Sequence, residues 1–201
     1  MLRIAAALLA LIGIILVGQG SYIHAKAMLA QVLLERAFTA SLASGQPVKP
    51  WSWADTWPVA RIEVKRLDAS AIALHGSSGQ ALAFGPGHVE NTPEAGEPGI
   101  AVYSAHRDTH FRFLGDLIVG DEIEVTRRDG RHFRYRVTGT SIVSFDASDI
   151  DARARQTGLA LTTCWPLDAM TEGPLRYVVH ATLLDGQPIS PIALVDPART
   201  K

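Results

Sequence analysis

The chain has 201 residues, 47% of them hydrophobic, which is enough for one ordinary domain with a buried core and an N-terminal appendage. Nineteen basic and twenty acidic residues give a formal net charge of −1, so the composition lacks the basic surplus typical of a nucleic-acid-binding protein. The single cysteine, Cys164, excludes an intramolecular disulfide and any cysteine-rich metal site.

The N-terminus begins with an uncharged apolar run, residues 4–17, directly after Arg3. Together with residues 18–23 this run reaches the roughly 20 residues that are needed to span a bilayer. Apolar residues then recur at helical spacing from Met28 to Phe38, which favours an uncleaved signal anchor that continues into an amphipathic neck helix. The alternative is a signal peptide cleaved at the A-x-A motif of residues 25–27, where Lys26 is unfavourable.

Strand signals dominate the chain after the neck. The predicted strands are 59–64, 71–74, 100–104, 122–126, 132–137, 159–163 and 175–184. The Arg-Asp-Gly turn at 128–130 lies between two alternating runs and predicts a hairpin. Residues 85–99, with three prolines and four glycines, predict a surface loop. Seven or eight short strands with few helices predict a mainly β fold, a small closed barrel.

These patterns predict four segments. They are a signal anchor or transmembrane helix at 1–24, an amphipathic neck helix at 25–46, a catalytic β-barrel domain at 47–186 and a C-terminal tail at 187–201. Three tryptophans, Trp51, Trp53 and Trp57, begin the barrel segment together with two prolines. Such a cluster more often fills a hydrophobic seam than binds a ligand, and we expect that role here.

Two reactive residues each follow an apolar strand. Cys164 comes after LALTT and before Trp165-Pro166, and His106 comes after GIAVYSA. Both can therefore lie at one rim of the same sheet. A free thiol has a pKa near 8.5, and a neighbouring imidazolium favours the thiolate that attacks a carbonyl carbon. Arg176 opens a later strand after a Gly-Pro turn and could stabilise the oxyanion of the tetrahedral intermediate.

Other roles for these residues stay open at the level of sequence. His106 and His110 are four residues apart, but Arg107 stands where the zinc-protease motif needs glutamate, which argues against a metal site. Asp108 could orient His106 or only solvate the turn. Arg176 could be a surface residue of an alternating strand, and Cys164 a structural residue.

The segments LALTTC around Cys164, SAHRDTHF around His106 and GPLRYVV around Arg176 resemble those of the sortases, and most of all the Gram-negative, marine proteobacterial type. The segments YIHAKA, WADTWPVARI and AFGPGH share the resemblance, which extends from the anchor to about Leu184. One departure is Ala160, where the family signature Thr-Leu-x-Thr-Cys has threonine.

The resemblance implies an eight-stranded sortase-like barrel with His106, Cys164 and Arg176 as catalytic residues. It implies a cysteine transpeptidase that cuts an LPXTG-like C-terminal sorting signal after threonine, forms a thioacyl-enzyme and passes the substrate to an amine. The implied partner is a dedicated protein substrate, with no metal or organic cofactor. The implied location is the inner membrane, single-pass, with the catalytic domain in the periplasm.

Two competing hypotheses share the same residues. In the first, the protein is a membrane-anchored thiol peptidase, and water instead of an amine resolves the acyl-enzyme. In the second, it is a non-catalytic anchored β-barrel that binds a partner, and the thiol of Cys164 is inert.

Overall fold

A computed structural model of the chain describes residues 2–146, 150–169, 171 and 173–188. The elements are helix α1 (Leu2–Ser44), strand β1 (Pro58–Val64), a 3₁₀ turn (Lys65–Leu67), β2 (Ala69–His75), helix α2 (Gly79–Leu82), β3 (Gly87–His88), β4 (Ile100–Ser104), a second 3₁₀ turn (Arg112–Asp116), β5 (Glu122–Arg127), β6 (Arg131–Ser144), β7 (Gly158–Cys164) and β8 (Leu175–Pro188). Of the predicted tail at 187–201, residues 187 and 188 belong to β8, and residues 189–201 lie outside the described residues.

The eight strands form one closed barrel in the order β1-β2-β3-β4-β7-β8-β6-β5. Strands β2 and β3, and β4 and β7, pair in parallel, and the other neighbours are antiparallel. The interior is filled by alternate residues from all sides, with Tyr103, Tyr135, Ile123 and Leu161 fully buried among them. This arrangement confirms the predicted mainly β fold with a closed eight-stranded barrel.

The segment 85–99 differs from the surface loop expected from its prolines and glycines. It contains β3, and Ala95 within it is fully buried. The amide of Gly96 donates to the Tyr135 hydroxyl over 2.7 Å, and Arg127 donates to the Ala95 carbonyl over 3.2 Å. Gly96 has a positive φ of 87° and lies against the ring of Phe133, so a side chain would not fit there. Side chains distant in sequence therefore hold this segment against the barrel.

Helix α1 is continuous over 43 residues and ends at Ser44, and the amide of the following Gly45 donates to the Ser41 carbonyl over 2.8 Å. Its last turns pack on the barrel, because Leu34 and Phe38 are fully buried against Ile72 and Leu74. An ion pair between Glu35 and Arg61 adds to this contact. By length and composition, the part of α1 from Leu9 to Ser44 is long and apolar enough to cross a membrane.

Candidate active site

Cys164 and Arg176 are paired across two neighbouring strands. Cys164 is the last residue of β7 and lies opposite Arg176 in the antiparallel ladder with β8. Opposite residues of such a ladder point to the same face, with Cβ atoms roughly 4.5–5.5 Å apart. Their neighbours Thr163 and Tyr177 form the next pair, and Thr163 is buried, which places Cys164 and Arg176 on the outer face of the barrel. The sequence predicted that Cys164 lies at the rim of a sheet, and the pairing of β7 with β8 shows on which face of the barrel it lies.

His106 reaches the same end of the sheet because β4 runs parallel to β7. Ser104, the last residue of β4, pairs with Thr162, so the two chains leave the sheet at the same level, two residues before His106 and Cys164. The contact continues past the strand: the Ala105 amide donates to the Thr162 carbonyl over 3.1 Å. The Thr163 hydroxyl, 2% exposed, donates to the Ala105 carbonyl over 2.7 Å. These bonds fix the backbone before His106 to the backbone before Cys164.

An open groove with a volume of about 940 Å³ contains all three residues, and we call it the catalytic groove. His106 is exposed, whereas Cys164 and Arg176 are half-buried. Val102 and Val178 form the apolar floor of the groove, and Val89, Val143 and Ile150 pack against the same outer-face cluster. The structure thus brings the three residues singled out in the sequence to one site, and their catalytic roles remain predictions.

Ala160, the departure from the family signature, is fully buried in the outer-face cluster with Val102 and Val178 and does not itself line the catalytic groove. It lies between Val102 on β4 and His180 on β8 in the strand ladders. The departure therefore lies in the packing beside the groove and leaves Cys164, four residues further along β7, in place.

The guanidinium of Arg176 is oriented by the chain that precedes it. Its Nη1 donates to the carbonyls of Gly173 and Leu175, both over 2.9 Å. The Phe145 ring lies beside it, with its centroid 5.7 Å from Cζ of Arg176. Trp165, directly after the nucleophile, stacks on Tyr177, directly after Arg176, with ring centroids 5.6 Å apart. These contacts keep the ends of β7 and β8 together at the groove.

Arg107 is a residue of the site that sequence reasoning missed. Its Nη1 donates to the Pro166 carbonyl over 3.0 Å, and its Nη2 donates to the Thr171 carbonyl over 2.7 Å. One side chain thus joins the segment that carries His106 to the β7–β8 loop that follows Cys164. The sequence showed only a cation beside a histidine, and both partners are more than 50 residues away, so no local pattern could have found this contact.

Asp108 and His110 follow His106 in the same segment. Asp108 is exposed at the groove, and within the described residues no hydrogen bond or ion pair joins it to His106. Partial burial lowers the pKa of His110, and repulsion from a protonated His106 lowers it further. His110 is therefore neutral more often than an ordinary histidine. No group of three or more metal-ligating side chains occurs in the described part of the chain.

The chain is similar in sequence to known proteins. Residues 62–184 match the family model described as the sortase domain. The chain is 32% identical over 120 residues to Sortase D of Bacillus subtilis, which covers 59% of this chain and 60% of that protein. The chain therefore spans about 60% of the length of that curated relative.

Solved structures agree with the family match. Sortase E from Streptomyces avermitilis is 31% identical with a TM-score of 0.55, and the likeness covers 66% of this chain and 91% of that one. The Sortase D5 transpeptidase of Clostridium perfringens has a TM-score of 0.58 at 24% identity, covering 75% of this chain and 89% of that one, and shows the same fold.

Proposed function

The chain belongs to the sortase family, and from this premise we propose that it is a cysteine transpeptidase that cuts a C-terminal sorting signal and transfers the substrate to an amine. The observation that carries the proposal is the pairing of Cys164 with Arg176 in register, in the same groove as His106. A nucleophile, a proton carrier and a cation are the groups that acyl transfer requires.

In the first half of the proposed reaction, the Cys164 thiolate attacks the carbonyl carbon of the threonine in the sorting signal. The oxygen of the tetrahedral intermediate becomes negative, and the guanidinium of Arg176, opposite Cys164, stabilises it. The bond between threonine and the next residue breaks, and protonated His106 gives its proton to the leaving amine. The product is a thioester between Cys164 and threonine.

In the second half, an amine attacks the thioester carbonyl. Neutral His106 takes the proton from the attacking amine, Arg176 again stabilises the oxyanion, and the thiolate of Cys164 leaves as the new amide forms. Water in place of the amine gives hydrolysis, the reaction of a thiol peptidase.

The catalytic groove supports an LPXTG-like signal as the substrate. Its floor of Val102 and Val178 is apolar and suits leucine and proline side chains of an extended peptide. The polar end with His106, Cys164 and Arg176 then receives the scissile carbonyl. A dedicated protein substrate is what the sequence resemblance implies.

We place the protein in the inner membrane as a single-pass protein of the marine proteobacterial sortase type, with its barrel in the periplasm. The support for this location is the apolar N-terminal part of α1, which is long enough to span a bilayer. The type rests on the sequence resemblance around Cys164, His106 and Arg176.

The test is to capture the acyl-enzyme. The full chain in detergent is mixed with a peptide that contains an LPXTG-like sorting signal, and the protein is analysed by intact and peptide mass spectrometry. We expect an adduct with the mass of the peptide N-terminal to the cut, located on Cys164. Cys164→Ala is the control and should carry no adduct. Absence of an adduct on the wild-type chain, across a panel of sorting-signal variants, would refute the proposal.

An added amine separates transfer from hydrolysis. With triglycine or another small primary amine, a transpeptidase gives a product heavier than the hydrolysis product by the mass of the amine minus water. If the hydrolysis product alone forms at every amine concentration, the protein is a thiol peptidase. If Cys164 does not react with a small thiol reagent in the folded chain, it is a structural residue, and the non-catalytic binding module remains.

A further inference from the structure

A second groove, separate from the catalytic groove, lies between α1 and the first segment of the barrel. We call it the neck groove; it has a volume of about 680 Å³. Leu29 and Leu33 of α1 form one wall, and Trp51 and Phe84 form the other, with ring centroids 5.0 Å apart. The Gln31 side chain donates to the Phe84 carbonyl over 2.8 Å, which fixes one wall to the other.

Large apolar side chains of the neck groove remain exposed. Trp53 is 83% exposed and Leu29 is 58% exposed. The sequence predicted that the three tryptophans fill a seam, and this is wrong for Trp53, whose side chain is largely exposed. Covering these side chains would remove apolar surface from water, which favours contact with a partner that has apolar surface of its own.

The position of the neck groove along α1 indicates what covers it. A helix rises 1.5 Å per residue, so residues 4–23 cover the roughly 30 Å of a bilayer's hydrocarbon core. Lys26 lies at the edge of the groove. Measured along the helix axis from Ile23, where the hydrocarbon core ends, Lys26 is about 5 Å away and Leu33 about 15 Å away. The headgroup layer is roughly 5–8 Å thick on each side. The end of the groove near Lys26 therefore lies in the headgroup layer, where tryptophan is enriched.

We propose that the end of the neck groove near Lys26 docks on the phospholipid headgroup layer of the membrane, with Trp53 placed in that layer. This inference rests on the proposed membrane anchoring of α1. Lys26 and Asp55, both at the groove, contribute one charge of each sign, so the recognition is apolar and does not select an anionic headgroup.

Docking of the neck groove on the headgroup layer would also set the direction in which the catalytic groove faces. Helix α2 separates the two grooves: Gly79 and Gln80 line the neck groove, and Leu82 lines the catalytic groove. A barrel attached at both α1 and Trp53 cannot rotate freely about the neck.

The test uses the depth-dependent quenching of tryptophan by brominated lipid. The full chain with Trp51→Phe, which keeps a ring against Phe84, is reconstituted in phosphatidylcholine vesicles. Some vesicles contain phosphatidylcholine brominated near the top of the acyl chain and others near its end. We expect the shallow bromine to quench the emission more strongly than the deep bromine, since no tryptophan lies in residues 4–23.

Matched variants assign the quenching to the groove. In the same background, Trp53→Phe should remove the difference between brominated and ordinary lipid, whereas Trp57→Phe should keep it, because Trp57 stacks on His75 in the barrel. Leu29→Glu places a carboxylate in the groove at a largely exposed helix position. It should reduce the quenching of Trp53 while the protein still floats with the vesicles.

The outcomes separate the groove from the anchor. A chain that does not float with vesicles would overturn the anchor and, with it, the lipid site. A chain that floats but whose emission is insensitive to brominated lipid would overturn the lipid site and leave the anchor and the transpeptidase proposal intact. If the Trp53 emission instead changes with the ratio of protein to lipid, a second copy of the chain occupies the groove and the lipid proposal is wrong.

Discussion

Different interactions determine the positions of the three residues in the proposed active site. Cys164 and Arg176 belong to the paired ends of two strands, so the backbone ladder determines their separation. His106 lies two residues beyond β4, and the hydrogen bond between Thr163 and the Ala105 carbonyl determines where its segment starts. The sheet therefore fixes Cys164 and Arg176 relative to each other, whereas His106 lies outside the strand ladder.

The first prediction at this scale concerns the nucleophile. Cys164→Ala should abolish both cleavage and transfer of a sorting peptide, and Cys164→Ser should be nearly as inactive, because a hydroxyl needs a stronger base than the thiol does. The side chain is half-buried on the outer face, so the change in unfolding free energy should stay within about 1 kcal/mol. Turnover and the thermal midpoint of the same preparations measure the two effects.

His106→Ala is the companion variant. When residues act as one catalytic unit, the effects of replacing them do not add. The double variant His106→Ala/Cys164→Ala should therefore be no less active than either single variant. Measurable cleavage by Cys164→Ala above the background of the uncatalysed peptide would remove the assignment of the nucleophile.

The second prediction concerns Arg176. An interaction made mainly in the transition state affects kcat more than KM, and loss of one oxyanion donor typically lowers kcat by about 10² to 10³. Arg176→Ala should show this loss, and Arg176→Lys should recover only part of it, because lysine keeps the charge without the planar fork. Steady-state kinetics with a sorting peptide give kcat and KM separately.

The same measurement discriminates two other roles of Arg176. A change confined to KM would assign it to substrate binding. Activity of Arg176→Ala within a few-fold of the wild type would make it a surface strand residue, whose bonds to Gly173 and Leu175 serve only the turn.

At the scale of elements, the predictable features were those with a local cause. Strand β4 was predicted with its observed bounds, and β7 to within one residue at each end, because each is an apolar run that stops before a polar or proline-containing segment. The continuation of β6 to Ser144 was missed: after Val137 its residues are mostly polar or exposed, and two bulges interrupt the alternation. The two-residue β3 is too short to leave any pattern.

In the candidate site, too, the sequence predicted only the features that have a local cause. The sequence supplied Cys164 and His106 as strand-terminal residues, but the face on which they lie depends on pairing between β4, β7 and β8. Arg107 was overlooked because its two acceptors are backbone carbonyls, which no residue type marks. Resemblance to a family could suggest the three reactive residues, whereas only the fold shows which side chains connect the loops around them.

The prediction at the scale of elements concerns Arg107 as a positioning residue. Arg107→Ala removes both hydrogen bonds between the His106 segment and the β7–β8 loop. Misplacement of catalytic groups by about 1 Å can cost on the order of 10²-fold in rate, so kcat/KM should fall by about 10- to 100-fold. The shorter donor set of Arg107→Lys can reach one of the two carbonyls. The kcat/KM of this variant should therefore lie between that of Arg107→Ala and that of the wild type. Trp165 emission, which reports on the loop after Cys164, should change in Arg107→Ala.

Arg112→Ala provides the matched control, since it removes an exposed arginine from the 3₁₀ turn that follows the same segment. It should leave kcat/KM and the Trp165 emission close to the wild type. Equal losses in Arg107→Ala and Arg112→Ala would show a general effect of charge on the substrate and would contradict a role for Arg107 in joining the loops.

The whole molecule combines one long helix with one barrel, and the anchor prediction belongs to this scale. The A-x-A motif of residues 25–27 lies within continuous α1, and residues after it pack on the barrel through Leu34 and Phe38. We expect the apolar residues 4–23 to remain in the mature protein. Intact mass of the protein from the membrane fraction decides the question, and a mature N-terminus at Met28 would exclude the uncleaved anchor.

The last prediction concerns how the stability of the barrel depends on pH, through the ion pair of Asp121 with Arg66. The Asp121 side chain is 5% exposed, and its two oxygens accept from Nε and Nη2 of Arg66 over 2.5 and 2.6 Å. It also accepts from the Ile118 amide over 2.9 Å. These interactions, the Arg66 hydrogen bond first, lower the pKa of Asp121 below its ordinary value of 3.8.

A carboxyl whose pKa is lower in the folded state stabilises the fold fully above the pKa of the unfolded chain, and this stabilisation is lost as the pH falls through the folded pKa. The thermal midpoint of the wild type should therefore decrease as the pH is lowered from about 5 to below 3.8, and part of this decrease should be absent in Asp121→Asn. At pH 7 Asp121→Asn should itself melt at a lower temperature than the wild type, because Arg66 loses its charged partner. Asp68→Asn removes one carboxylate from an exposed position and is the matched control. If the two variants lose stability in parallel with the wild type at every pH, the Arg66–Asp121 pair does not contribute to the acid sensitivity of the fold.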